Sequence, residues 1–515
     1  MSRAAGRPGG LEGGKMTDLV CAVDAGTTRI KAALVDSTGR VRRLAAAPTP
    51  SSSPGRALPD VDARACADLT CDLIRSALRK GSISPRRVKA LVVTGQRATV
   101  VPLDRAGDPA GPGLSWQDTR CAPALERFHS RLGARRFSRI TGLPPSALWT
   151  LGKILWLKEA TDGAARSTLR FALLVDYLLS RLGTRDLVTD RSHASLTGLL
   201  DLATSAWSDE ILAAARVDPS QLPALVQSGS IVGRLSRSAA TATGLEEGTA
   251  LVAGGGDQQC AALAVGALQP GVASLCLGTA AVLSCPVTRP VRDRSGRSFC
   301  TVHVIDGRWM LEGIHNTFGS ALNWARRLLG LTSSRAFMRC AAGGAPGSSG
   351  ATFLPFLAGI GSPDYDASRR GALLGLGLST GRSDVARAVL EGVCLEVRRI
   401  VDSLERHVRI ERLIVSGGAS IQRSVASMLA GLTGRTVVVQ REPETTLLGA
   451  AMLAWTAIGR FSDPAAAFLE LGGSPGRPMR PADPAGSDIL NRRYLRQLHE
   501  LRSRGGPAAP GEGAA

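Results

Sequence analysis

Two short apolar hairpins, about 250 residues apart, constrain this chain more than any other feature of its sequence. The first reads as a strand over Leu19–Val23, the turn Asp24-Ala25-Gly26-Thr27-Thr28, and a return strand over Ile30–Val35. The second reads as a strand over Val272–Leu277, the turn Gly278-Thr279-Ala280, and a return strand reaching Cys285. Both reverse on Gly-Thr, and one lies in each half of the 515 residues. That duplication predicts two similar domains facing each other across a cleft. Further apolar runs at Val88–Val93, Ala250–Ala253, Leu413–Val415 and Val437–Val439 alternate with helical patterns. The clearest helix is expected over Ser383–Leu404, where Val385, Ala388, Val389, Val393 and Val397 mark one face. The expected class is α/β, with sheets covered by helices.

Composition removes several alternatives. Hydrophobic residues make up 44% and charged residues 21%, which is ordinary for a globular chain. No apolar stretch is long enough for a membrane-spanning helix. Residues 1–15 are Gly/Arg-rich without an apolar core and read as a leader rather than a secretion signal, which points to the cytoplasm; Met16 is a candidate start. The net charge of +20 raises the question of a polyanionic partner. The basic residues are mostly arginines spread along the chain, with runs no longer than pairs such as Arg42–Arg43 and Arg369–Arg370. That scatter argues against nucleic acid, whose binders concentrate charge and interleave aromatics. Ten cysteines form no C-x-x-C pair and have no histidine at zinc-like spacing, so neither a disulfide scaffold nor a structural metal is expected.

Three glycine-containing segments carry the candidate chemistry. In Asp24-Ala25-Gly26-Thr27-Thr28, glycine lets backbone N–H groups approach a phosphate, the threonines add hydroxyl donors, and Lys31 adds a compact cation. Asp24 at the strand end suits Mg²⁺, directly or through water. The same residues also suit a plain hairpin turn. In Gly254-Gly255-Gly256-Asp257-Gln258-Gln259, an apolar strand gives way to a helical pattern over Cys260–Val265. The glycines would leave room for a ligand, and Asp257 could take a proton from a substrate hydroxyl; an aspartate capping a helix reads equally well. Ser416-Gly417-Gly418-Ala419 could admit a nucleotide at a helix start, or be only a tight connection. Trp116-Gln117-Asp118-Thr119-Arg120 could line a sugar pocket, or be an aromatic packed beside a salt bridge; Gln96-Arg97 could reach the same cleft, and His193 near Asp190 reads as structural.

In order along the chain, the segments resemble the FGGY carbohydrate kinases, which include glycerol kinases and xylulokinases. They are VDAGTTRIKAALVD (23–36), TGQRATVVPLD (94–104), SWQDTR (115–120), TGLPPSALWTLGKILWL (141–157), TDRSHASLTGLLDL (189–202), VAGGGDQQCAAL (252–263), LGTAAVL (277–283), LPFLAGIGSPDYDASRRGALLGL (354–376), ARAVLEGVCLEV (386–397), VSGGAS (415–420) and ETTLLGAAMLAW (444–455). The resemblance implies two actin-like ATPase (ribonuclease H-like) domains facing a catalytic cleft. It places an N-terminal domain at 16–265 and a C-terminal nucleotide-binding domain at 266–470; the residues after them, 471–515, read from composition as a Gly/Pro/Arg-rich tail. It implies transfer of the γ-phosphoryl of MgATP to a hydroxyl of a sugar or polyol, with a homodimer as a further expectation. Asp257 would be the catalytic base and Asp24 would serve the magnesium. Thr27, Thr28, Lys31 and Thr279 would hold phosphates, and Gly319, Gly418 and Ala419 would flank the nucleotide. Gln96, Arg97, Asp257 and Gln258 would face the substrate.

The departures from the resemblance concern that substrate. Glycerol kinases carry Q-R-E-T where this chain has Gln96-Arg97-Ala98-Thr99, and Ala98 cannot bind a polyol hydroxyl. Their pocket tyrosine falls at Leu148, beside Trp149, and their pocket phenylalanine at Val282. Xylulokinases carry Q-M-H-G at the first position, which this chain also lacks. Two polar glycerol contacts are lost and volume is gained, so the expected acceptor is larger than glycerol, such as the ketose xylulose or a longer polyol. Glycerol itself, and a catalytically silent sugar-binding regulator, are the alternatives.

Overall fold

The computed structural model describes residues 17–52, 60–161, 169–418, 423–472, 475–481 and 484–503. Its frame is two mixed sheets of the same design. In the first sheet, β1 (Leu19–Ala25) and β2 (Arg29–Asp36) form the expected hairpin, and β3 (Val41–Pro48) continues it antiparallel. On the other side of β1 lie β4 (Val88–Gly95), parallel to it, then β6 (Ala250–Gly256), then β5 (Ile231–Arg234), antiparallel at the edge. The spatial order is therefore β5-β6-β4-β1-β2-β3.

The second sheet repeats this around β7 (Gly271–Leu277) and β8 (Ala281–Val287). With β9 (Phe299–Val302), β10 (Trp309–His315), β11 (Ile410–Ser416), β12 (Thr436–Gln440) and β13 (Pro475–Met479), its order is β9-β10-β8-β7-β11-β12-β13. Strand β13 pairs antiparallel with β12, where β5 pairs with β6 in the first sheet. The segment read from composition as a tail thus completes the second sheet and continues into a helix, Pro484–Ser503. Tyr494 on that helix is fully buried and donates to Glu396 Oε1 at 2.7 Å.

The central strands are apolar throughout because both faces of the first sheet are covered. On β1, Leu19, Cys21, Val23 and Ala25 pack on one side, with helix α1 (Ala63–Gly81) presenting Cys66, Ile74 and Ala77. Asp62 caps that helix by accepting from the Ala65 N–H at 3.0 Å. Val20 and Ala22 point to the other face. They meet helix α2 (Asp257–Ala264) and a distant helix α5 (Thr445–Ala457), through Leu447, Leu448 and Met452. Between these in sequence lie α3 (Phe318–Leu328) and α4 (Arg382–Leu404). The latter carries Ala388, Val389, Val393 and Val397 of the expected apolar face, joined by Ile400, into the second domain's core, while Val385 is half-buried.

Helix α5 lies between β12 and β13 of the second sheet in sequence but packs on the first. Its close approach to α2 depends on Gly449, where a Cβ would lie 1.9 Å from the Cys260 carbonyl oxygen. All ten cysteines are free thiols. Among the described residues, no helix is long and apolar enough to cross a membrane.

Candidate active site

Four chain segments end at the cleft. Strand β1 delivers Asp24 and the Gly26–Thr28 turn, closed by the Gly26 N–H donating to the Arg29 carbonyl at 3.1 Å. Strand β4 delivers Gln96 and Arg97. Strand β6 delivers Asp257 as the first residue of α2. Strand β7 delivers Gly278 and Thr279, whose turn is closed by the Gly278 N–H donating to the Ala280 carbonyl at 2.9 Å. Helix α3 docks its start on this second turn. The Gly319 N–H donates to the Gly278 carbonyl at 3.1 Å, and a Cβ on Gly319 would lie 2.4 Å from that oxygen.

Two cavities meet at the second Gly-Thr turn. A cavity of about 270 Å³ is lined by Thr27, Thr28, Gln96, Arg97, Asp257, Gln258 and Thr279, with Trp116, Gln117, Leu148, Trp149 and Val282 on the same lining. A second, of about 450 Å³, is lined by Thr279, Gly319 and Gly418, together with Asn323, Arg326 and Arg327 of α3. Gly278 and Thr279 belong to both. Gln96, Arg97, Asp257 and Gln258 are thus brought together in the first cavity with Trp116 and Gln117, whereas Asp118 stays off its lining, paired with Arg120 Nε at 2.8 Å. The expected nucleotide residues divide between the two, except Lys31 and Ala419. Ala419 lies outside the described residues.

Lys31 departs from expectation. It lines neither cavity, and its Nζ is bonded to Glu444 Oε2 at 2.6 Å. It stands directly across the hairpin from Asp24 and, with Glu444, ties the first hairpin to the start of α5. The glycines before Asp257 also differ from the reading that they leave room for a ligand. A Cβ on Gly254 would lie 2.4 Å from the Val93 carbonyl oxygen, on Gly255 2.1 Å from Val304 Cγ1, and on Gly256 2.6 Å from Arg97 Cδ. Protein atoms fill the space; small residues are needed there because β4, Val304 and the Arg97 side chain approach so closely.

The electrostatics centre on two carboxylates and one arginine. Arg97 is buried, makes two 2.9 Å hydrogen bonds to the two carboxylate oxygens of Glu312, and places Nε 3.7 Å from Asp257 Oδ1. Glu312, on β10 of the other domain, is fully buried and also accepts from Gln259 Nε2 at 3.2 Å, Ser284 Oγ at 3.1 Å, and the Thr301 hydroxyl. Burial raises the Asp257 carboxyl above its ordinary range, opposed by Arg97 and by the Gln258 N–H that bonds it at 2.8 Å. Burial, reinforced by the charge of Asp257, pushes Asp24 up to about 7, with Lys31 opposing. Asp24 Oδ1 is buried without a hydrogen-bond partner. A carboxylate pair held against its own charge, with one orphaned oxygen, fits a divalent cation. Among the described residues, no cluster of three or more metal-binding side chains gathers.

His193 is structural, as read. Its Nδ1 bonds Asp190 and its Nε2 faces the Gly95 carbonyl at 3.2 Å. Neighbouring Ser192 accepts from the Gly256 N–H at 2.8 Å, so this buried group braces the strand ends that carry Arg97 and Asp257. Sequence reasoning missed Glu312, Glu444 and the α3 arginines. Glu312 had a signal: a carboxylate alone in the apolar strand Trp309–His315 needs a buried partner.

Comparison with known proteins agrees with this geometry. The N-terminal domain of the FGGY family of carbohydrate kinases matches residues 19–264, and the C-terminal domain of that family matches residues 273–458. A glycerol kinase from Bordetella parapertussis is 31% identical over 86% of this chain and 90% of its own length. A xylulose kinase structure from Rhodospirillum rubrum superposes with a TM-score of 0.84 at 27% identity, covering 94% of this chain and 99% of that one. One from Lactobacillus acidophilus gives 0.87 at 23% identity, covering 95% and 99%. Matched over both of its domains, and built as two similar sheets around a cleft with paired Gly-Thr turns and a half-buried aspartate, the chain belongs to the FGGY family of carbohydrate kinases, phosphotransferases with an alcohol group as acceptor.

Proposed function

We propose that this chain transfers the γ-phosphoryl group of ATP to a hydroxyl of a sugar or polyol larger than glycerol, a ketose such as xylulose being the expected type. The observation that carries the reading is the junction at Gly278 and Thr279, common to the 270 Å³ and 450 Å³ cavities. The acceptor occupies the first and ATP the second, so the transferred group crosses at the shared turn. Asp257 accepts the proton of the attacking hydroxyl, and its raised pKa makes it a stronger base than an exposed aspartate. Arg97, held rigid by Glu312, orients Asp257 and the acceptor. The hydroxyls of Thr27, Thr28 and Thr279 and the adjoining N–H groups bind phosphate oxygens. Asp24 would hold Mg²⁺, which neutralises charge on the phosphates when bound.

Glycerol is the second reading, favoured by curated relatives such as the 31% identical enzyme named above. Ala98 and Leu148 weigh against it, because neither offers a hydroxyl partner on the cavity wall. A coupled ADP-release assay with MgATP over glycerol, erythritol, ketopentoses and hexuloses decides between them. One ketose or longer polyol should be turned over at least tenfold more efficiently than glycerol, and Asp257→Asn should abolish turnover of it. Glycerol as the best substrate would overturn the larger-acceptor reading.

A further inference from the structure

The acceptor cavity is two-faced. Its polar groups come from the two Gly-Thr turns, the end of β4, the start of α2 and the segment after Trp116: Thr27, Thr28, Gln96, Arg97, Gln117, Asp257, Gln258 and Thr279. The apolar part of the lining is Ala98, Leu148, Leu196, Val282, Phe299 and Ile314. These six belong to or pack on one continuous hydrophobic cluster that draws from both domains. Trp149 extends it, with its ring 5.3 Å from that of Phe299.

This face has spent the hydrogen-bonding groups within its reach. The Trp149 indole N–H donates to the Pro144 carbonyl at 2.6 Å. The carbonyls of Ala147, Leu148 and Trp149 accept from the buried Lys153 Nζ at 2.7, 3.3 and 3.5 Å. Val282 and Ile314 are opposite each other in the β8–β10 ladder, and the Ile314 backbone is taken up by Ser362: its N–H donates to Ser362 Oγ at 3.0 Å and its carbonyl accepts from the Ser362 N–H at 2.8 Å. The Tyr365 hydroxyl, on the rim of the cluster, is paired with Ser362 at 2.7 Å. Carbon is what remains for a ligand to touch. A sugar or polyol with a hydroxyl on every carbon would bury at least one of them here without a partner.

Resting on the reading of this cavity as the acceptor site, we propose that the preferred acceptor is a deoxygenated sugar or polyol, hydroxylated where it meets Asp257 and Arg97 and ending in a methyl or short alkyl group against Val282, Phe299 and Ile314. The hydrocarbon end fills the wall that a terminal CH₂OH would leave unsatisfied. An apolar pocket discriminates against one added hydroxyl by about a hundredfold at most, so a preference of about ten- to a hundredfold in kcat/KM is expected.

The test uses matched compounds with MgATP: D-xylulose, D-fructose and erythritol, each beside its terminally deoxygenated analogues. The analogue lacking the phosphorylated hydroxyl is inert and identifies that end. The analogue deoxygenated at the opposite end should exceed its parent by about tenfold or more in kcat/KM. Val282→Thr, isosteric and adding a hydroxyl to the wall, should shrink that preference. Equal or better use of the fully hydroxylated parent overturns this inference and leaves the kinase reading standing. No transfer to any compound, by protein that binds ATP, overturns the acceptor-site reading and this inference with it.

Discussion

Replacing Glu312 with glutamine isolates the charge that steadies Arg97. The wild-type carboxylate is fully buried and receives two 2.9 Å hydrogen bonds from Arg97, plus those from Gln259, Ser284 and Thr301. Glutamine keeps the shape but offers one acceptor oxygen and turns an NH₂ group toward donors. Leaving a buried ion pair half-broken costs about 3–5 kcal/mol, and the retained hydrogen bonds place this case near the lower figure. The guanidinium then has Asp257 as its nearest anion, at 3.7 Å. At an effective dielectric near 20 that separation corresponds to about 4 kcal/mol of attraction. If a third of it is released to Asp257 once Glu312 is neutral, the carboxyl pKa falls by about one unit. Asp257 becomes a weaker base, and the acid limb of the kcat/KM profile moves to lower pH. Denaturant titration and a pH–rate profile on the same protein measure both effects. A loss of stability with an unmoved acid limb would show that Glu312 supports the fold without tuning the base. An unchanged stability would refute the burial argument itself.

Two further outcomes follow from the same cleft. Asp24 stands at about 7 in the folded protein against an ordinary value of 3.8, so the folded state holds more protons than the unfolded chain between those values. Stability of the ligand-free protein should therefore fall as pH rises from about 4 to about 7, by up to about 4 kcal/mol. Asp24→Asn should remove that slope in thermal melts at pH 5 and pH 8 and abolish Mg²⁺-dependent turnover, whereas an unchanged slope would assign the pH dependence to other groups. Gly449→Ala should destabilise by about 3 kcal/mol, because the added Cβ meets the Cys260 carbonyl at 1.9 Å, and should lower kcat because Asp257 begins the same helix. An unchanged midpoint in a denaturant melt would show that the two helices separate freely.

The two hairpins were legible because their strands are buried on both faces over most of their length and so read as apolar runs, the return strands being interrupted by Lys31 in the first and Ser284 in the second. Strand β3, VRRLAAAP, was not, because it lies at a sheet edge with much of its length exposed. Strand β13, PGRPM, hid for a related reason: its place is fixed by pairing with β12 rather than by burial of its own side chains. At the site, Asp257, Arg97 and the Gly-Thr turns could be found from local chemistry. The partners of Lys31 and Arg97 could not. Glu444 is 413 residues from Lys31 and Glu312 is 215 from Arg97, and no local pattern reports contacts at such separations. The glycines of 254–256 were visible, but whether they admit a ligand or a neighbouring strand depends on what the fold brings against them.

The return of α5 to the first sheet sets an order on biosynthesis. When residue 264 has been made, Val20, Ala22, Val92 and Val252 have α2 over them but still await Leu447, Leu448 and Met452. At translation rates of about 5–20 residues per second, that face stays partly uncovered for roughly 10–40 seconds while the second sheet is being synthesised. The first half of the chain is therefore an incomplete folding unit, and chaperones have an apolar surface to hold during that interval. Its core closes only when the other half arrives, so the chain cannot finish one lobe of the cleft without having nearly finished both.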